Sequence, residues 1–225
     1  MSNSQLAMIS MALMLGVQHG YDLDHLATID SATRVVCENN RLSRMTGFLF
    51  SLGHGLVIIS LSLLIGSGMM QLHIPVWLDY LGSWISILFL FLFGILTLWN
   101  VLKKPASPTM PVSIRKYFSS KIAHHQFHPF SIILMGALFA FSFDTFSQVG
   151  LFSIAASAMS GWLFAGILGV FFMGGMMATD GLNGLLVATL IQRADNTAFV
   201  ISRLLGFVIA IFSLSIGIIG LIKMC

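Results

Sequence analysis

Six stretches of the chain are apolar with only isolated polar interruptions, at roughly residues 7–31, 46–70, 77–102, 130–158, 162–191 and 198–223. A bilayer core of about 30 Å is crossed by about 20 such residues in helical form. Each stretch therefore predicts a spanning helix, and the connections between them leave no room for a separate soluble domain. The pattern predicts an all-α, polytopic membrane bundle of about six transmembrane helices, forming a single transmembrane domain over residues 1–225.

Composition agrees. The 225 residues are 57% hydrophobic and 8% charged, against about 45–50% and about 25% in soluble domains. The net charge of +3 does not point to nucleic acid, because the basic residues sit in the gaps between apolar stretches. Cys37 lies in a gap and Cys225 ends the chain, so no CxxC pair or tetrathiolate site can form. Met1–Gln5 carries no basic residue and no small-x-small site follows the run from Leu6 to Val17, so this segment is expected to stay as a span rather than leave as a signal peptide.

Lysine and arginine alternate from gap to gap. Arg34, Arg41 and Arg44 follow the first stretch; Lys103, Lys104, Arg115, Lys116 and Lys121 follow the third; Arg193 and Arg203 flank the fifth gap. The second and fourth gaps have none, and Lys223 alone marks the C-terminus. The positive-inside rule then places the odd gaps in the cytoplasm and both termini outside, with the chain as a multi-pass protein of the bacterial cytoplasmic membrane. Three spans per half give the halves opposite orientations. That is the layout of a 3+3 inverted repeat, about 6–102 and 130–225, joined by a cytoplasmic loop at about 103–129. Polar patches echo between the halves: Asp22–Asp30 with 143–148, and His54 with Asp180 and Asn183. The loop holds four of the five prolines and His124-His125-x-x-His128, which reads as a solvated connection more readily than as a metal-collecting tract.

Five ionisable residues interrupt the first stretch: His19, Asp22, Asp24, His25 and Asp30. A charge at bilayer depth costs roughly 2.5–3.5 kcal/mol even on the lenient insertion scale, so the cluster requires a compensating partner. Imidazole and carboxylate suit a divalent transition metal. At ~1.5 Å per residue, His25 and His54 both fall about 8–11 Å above the cytoplasmic boundary, and Asp144, Asp180 and Asn183 reach the same slab. At ~100° per residue His19, Asp22 and His25 share one stripe while Asp24 points away. An interruption at Gly20 would free backbone carbonyls and change that geometry; alternatively Asp24 orients a ligating imidazole.

Bland readings stand beside these. His54, between Gly53 and Gly55, suits an interhelical hydrogen bond as well as a ligand. Asp30 has Arg34 at i+4 as a partner. Thr145, Ser147, Gln148 and Asn183 fit polar lining or helix packing, and methionines such as Met173, Met176 and Met177 fit apolar filling better than a copper(I) path.

His19-Gly-Tyr-Asp-Leu-Asp24-His25 resembles the His-x4-Asp-His signature of the nickel/cobalt transporter family. Phe50-Ser-Leu-Gly-His54-Gly, Phe143-Asp144-Thr145-Phe-Ser-Gln148 and Gly175-Met176-Met-Ala-Thr-Asp180-Gly-Leu-Asn183-Gly184 resemble three further family motifs, in family order. Departures fall at Gln18 for Arg, Gln148 for Glu, Gly181 for Thr and Asn183 for Asp, and each carboxylate-to-amide change removes a negative charge. Family members usually have eight spans; six are predicted here.

The resemblance implies a secondary transporter or permease moving Ni²⁺ or Co²⁺, not an enzyme, with no prosthetic group. Its expected metal ligands are His19, Asp24, His25 and His54, with Asp22 as ligand or orienter; the expected path holds Asp144, Thr145, Gln148, Asp180 and Asn183. The partners implied are the divalent ion and the lipid bilayer, with a homo-oligomer or partner subunit compatible and nucleic acid excluded. No Gly-x4-Gly-Lys-Ser/Thr loop is present, so the membrane potential, an ion gradient or a partner ATPase must supply energy. Two other readings are a haem-binding electron carrier with His25 and His54 as axial ligands, and a non-transporting metal-sensing homologue.

Overall fold

The computed structural model describes residues 2–37, 39–68, 76–102, 128–141, 146–157, 161–192 and 196–224. Their regular structure is entirely helical: α1 (Asn3–His19), α2 (Leu23–Val35), α3 (Asn40–Gly66), α4 (Val76–Leu102), α5 (Pro129–Phe139), α6 (Phe146–Ser157), α7 (Trp162–Gln192) and α8 (Asn196–Met224). The four uninterrupted apolar stretches appear as α3, α4, α7 and α8, each containing a segment long and apolar enough to cross a membrane.

The two remaining stretches are each divided between a pair of shorter helices, where the sequence predicts one. α1 begins in a reciprocal capping box, with Ser2 and Gln5 each satisfying the other's backbone N–H. It stops at His19. The chain turns through Gly20 and Tyr21 and restarts with Asp22 at the N-cap position of α2. Gly20 has ordinary helical φ; what it supplies is room, since a Cβ there would strike the Thr179 hydroxyl of α7. The turn satisfies its own carbonyls: Gly20, Tyr21 and Asp22 donate to Gly16, Gln18 and His19 at 2.9–3.1 Å. In the second pair, Ala140 and Phe141 donate to Gly136 and Leu138 in the same manner.

α3 and α7 form the most extensive packing pair, with α1 laid on α7, α5 on α3, and α4 paired with α8 at the side. The crossings of α1 with α7 and of α5 with α3 are built alike. A Cβ on Gly16 would strike the carbonyl of Phe172, and one on Gly175 the carbonyl of Leu13. Likewise Gly136 abuts the carbonyl of Phe50, and Gly53 that of Ile133. Small residues let helix backbones approach this closely, the usual means of tight packing in lipid. Leu88, Leu92 and Ile95 of α4 and Leu204, Val208 and Ile211 of α8 are exposed, as on a lipid-facing surface.

Two apolar clusters flank the centre. One gathers Ile9, Ala12, Ile58, Leu168, Phe172 and Met176; the other holds Ile29, Phe50, Ile132 and Phe139. Three buried histidines lie between them.

Candidate metal centre

The interruption of α1 and α2 places His19 at the end of one helix and His25 in the first turn of the next, so their rings approach to 4.4 Å between centroids. His54 projects from the middle of the 27-residue α3, because polar Asn40–Met45 extends that helix beyond its apolar stretch. Its ring lies 5.0 Å from that of His19 and 4.9 Å from that of His25. One ligand atom from each of the three falls within 4.8 Å of the others. All three side chains are buried.

Carboxylates fix two of the rings. His19 Nδ1 donates to Asp22 Oδ2 at 2.7 Å, and Ser147 Oγ lies 3.0 Å from the same nitrogen. Asp22 makes no side-chain capping bond to α2, the role its N-cap position would ordinarily give it. His25 Nδ1 donates to Asp180 Oδ2 at 3.1 Å, and the Ser51 hydroxyl donates to that oxygen at 2.6 Å. A carboxylate accepts only, so each Nδ1 holds a proton, and in the neutral imidazole that ligation requires each Nε2 presents a lone pair. Carboxylate-backed imidazole is the usual preparation of a metal-ligating histidine.

Aromatic rings enclose the group. Phe172 lies 5.4 Å from His19, and Phe50 and Phe139 lie 5.0 and 6.4 Å from His25. The buried amide of Gln148 on α6 reaches in from the other side, with Nε2 3.0 Å from His54 Nε2 and 3.3 Å from His19 Nε2.

The remaining candidates sort by position. Asp24 stands outside the three-histidine group; its Oδ1 accepts from the backbone N–H of His25 at 2.9 Å. Asp30 is fully buried in a two-point ion pair with Arg34, at 2.8 and 2.9 Å. Asn183 follows Asp180 by one turn of α7, and its Nδ2 is buried with no hydrogen-bond partner among the described residues. Asp144, Thr145, His124 and His125 lie outside the described residues, while His128 occupies the N-cap position of α5. Ser51 was not foreseen as part of the site. Its signal was its spacing: three residues before His54 on a helix, it shares that residue's face.

Buried imidazoles with carboxylate partners, inside a bundle of apolar helices, mark a multi-pass membrane protein whose interior carries three side chains that could hold a metal ion. The model of the NicO family, described as high-affinity nickel-transport protein, matches residues 5–225, and the chain belongs to that family. The high-affinity nickel-transport protein NixA of Helicobacter pylori (strain ATCC 700392 / 26695) is 30% identical over 250 residues, covering 97% of this chain and 74% of its own length. The nickel transporter NicT of Mycobacterium tuberculosis is 28% identical over 204 residues, 77% of this chain and 54% of NicT. A shorter likeness, 40% over 58 residues, links 26% of this chain to 16% of the cobalt transport protein NhlF of Rhodococcus rhodochrous. No solved structure matches the chain.

Proposed function

We propose that the chain is a permease that carries Ni²⁺, or Co²⁺, across the bacterial cytoplasmic membrane through a site whose ligands are Nε2 of His19, His25 and His54. The observation that carries this reading is the convergence of those three buried imidazoles, two of them backed by carboxylates. Imidazole suits nickel, as it suits copper and zinc, so the choice of nickel follows the family and its relatives; bonds of about 2 Å to such nitrogens require only small ring movements. Asp22 and Asp180 orient the ligands and balance the charge of a dication in the interior. Asp24, Asp144 and Asn183 remain as polar steps on the way to and from the site, with Thr145 beside them.

The repeat reading of residues about 6–102 and 130–225 draws support from the two alike crossings. Leu13 and Gly16 correspond to Ile133 and Gly136, and Phe50 and Gly53 to Phe172 and Gly175. Carried along the sequence, that register sets Asp24 against Asp144, and His54 against Met176 rather than against Asp180 or Asn183. Phe139 stands where His19 does, so the imidazoles belong to the first half alone. Halves of opposite orientation suit alternating access by rocking of one against the other, with termini outside as the basic residues indicate. An inward potential acting on a dication contributes about 4.6 kcal/mol per 100 mV, twice the single-charge value.

The haem reading draws no support from the geometry, since rings 4.4–5.0 Å apart leave no space for a macrocycle between them. The test is radiolabelled nickel uptake by proteoliposomes under an inside-negative potential. Potential-driven uptake supports transport. Stoichiometric binding without flux would support the sensing reading instead.

A further inference from the structure

Gln148 is fully buried, and its amide lies against the same nitrogens that the three-histidine reading assigns to the ion. With the Nδ1 proton of His19 committed to Asp22, His19 Nε2 must accept. His54 Nε2 lies 3.1 Å from it, and in the His54 tautomer that ligation requires, with the proton on Nδ1, the two lone pairs repel unless a donor serves both. The two N–H bonds of the Gln148 amide do so. Its other end has nothing comparable: Oε1 is buried with no hydrogen-bond partner among the described residues.

From this arrangement we propose that Gln148 is the fourth ligand of the transported ion, binding through Oε1 after a half-turn of the amide. The inference rests on the trihistidine reading and adds a neutral oxygen donor to it. An ion between the imidazoles takes the lone pairs that the NH₂ group occupies. Once displaced, the amide presents its oxygen to the same point. When the ion leaves, the reverse turn restores both N–H···N bonds, so neither state strands the imidazole pair.

Charge gives the residue its effect on specificity and release. Three imidazoles and an amide are neutral, and a dication among them is balanced by the carboxylates of Asp22 and Asp180, each one hydrogen bond removed. A carboxylate at position 148 would touch the ion directly and bind it more tightly. It could not donate to the two lone pairs without first acquiring a proton. The amide thus yields a site that holds its ion less tightly and releases it readily.

Titration of the purified full-length protein in nanodiscs with Co²⁺, followed by visible absorption, tests this with Gln148→Leu, Gln148→Glu and His54→Ala. The expected result is roughly tenfold weaker binding for Gln148→Leu with a changed ligand-field spectrum, and roughly tenfold tighter binding for Gln148→Glu. If His54→Ala loses binding while both Gln148 variants match the wild type in affinity and spectrum, the amide is not a ligand and this inference falls alone. If His54→Ala also binds as the wild type, the trihistidine reading falls with it. Should Gln148→Leu not fold, the near-isosteric Gln148→Glu decides: tighter binding supports the inference, and unchanged binding and spectrum overturn it.

Discussion

His19 Nδ1 donates to Asp22 Oδ2 at 2.7 Å across the interruption between α1 and α2. The chain stops being helical between the two residues, and the Asp22 side chain turns back to His19 instead of capping the helix it begins. Loss of a carboxylate that orients a ligating imidazole typically costs about 10–100-fold in metal affinity or activity. Asp22→Ala is therefore expected to weaken nickel binding within that range, while Asp22→Asn, whose amide oxygen still accepts from Nδ1, loses less. Equilibrium dialysis with radiolabelled nickel checks the order.

Asp180 does the same for His25 from a neighbouring helix, with Ser51 as a second donor to the same oxygen. Asp180→Ala should lower uptake by about 10–100-fold. Ser51→Ala removes only a supporting hydrogen bond worth about 0.5–1.5 kcal/mol and should have the smaller effect. Initial uptake rates in proteoliposomes measure both. Equal losses would show that Ser51 itself reaches the ion.

How much of this was legible in the sequence depends on the range of each interaction. The long helices α3, α4, α7 and α8 follow from apolar runs, because a chain in lipid must satisfy its backbone internally. The division of the first stretch was foreshadowed by Gly20 and the surrounding acids. The division of the stretch ending near 158 was signalled only by the polar patch at 143–148, since Ala140 and Phe141, where α5 ends, resemble their apolar neighbours. On one continuous helix Asp24 points away from His19 and His25; the turn rearranges the segment, yet Asp24 still stands apart from the group. Asp180 reads as a path acid because nothing local reveals that His25 lies against it. Gln148 reads as lining for the same reason: its position between two imidazoles is a tertiary fact.

The close crossing of α5 and α3 predicts a sharp contrast between two glycines. Gly136→Ala places a methyl group into the backbone of Phe50, whereas Gly174→Ala meets nothing within 4 Å. Overpacking costs about 1–3 kcal/mol, and a backbone obstacle that cannot rotate aside favours the upper end. Thermal unfolding in detergent should show a lowered midpoint for Gly136→Ala and an unchanged one for Gly174→Ala.

The Asp30–Arg34 pair predicts a different pattern. Asp30 is fully buried and Arg34 only 12% exposed, so Arg34→Met strands a carboxylate in the interior, a loss of about 3–5 kcal/mol. Adding Asp30→Asn removes the stranded charge, and the double variant should recover much of the stability. A double variant no more stable than Arg34→Met would show that Arg34 acts through packing instead.

The central claim is that His19, His25 and His54 bind one transported ion together. X-ray absorption at the nickel K edge, on the nickel-loaded wild-type protein, counts imidazole ligands from their outer-shell scattering. The account predicts three imidazoles on a single nickel ion. Nickel bound with no imidazole, or with one, would contradict it.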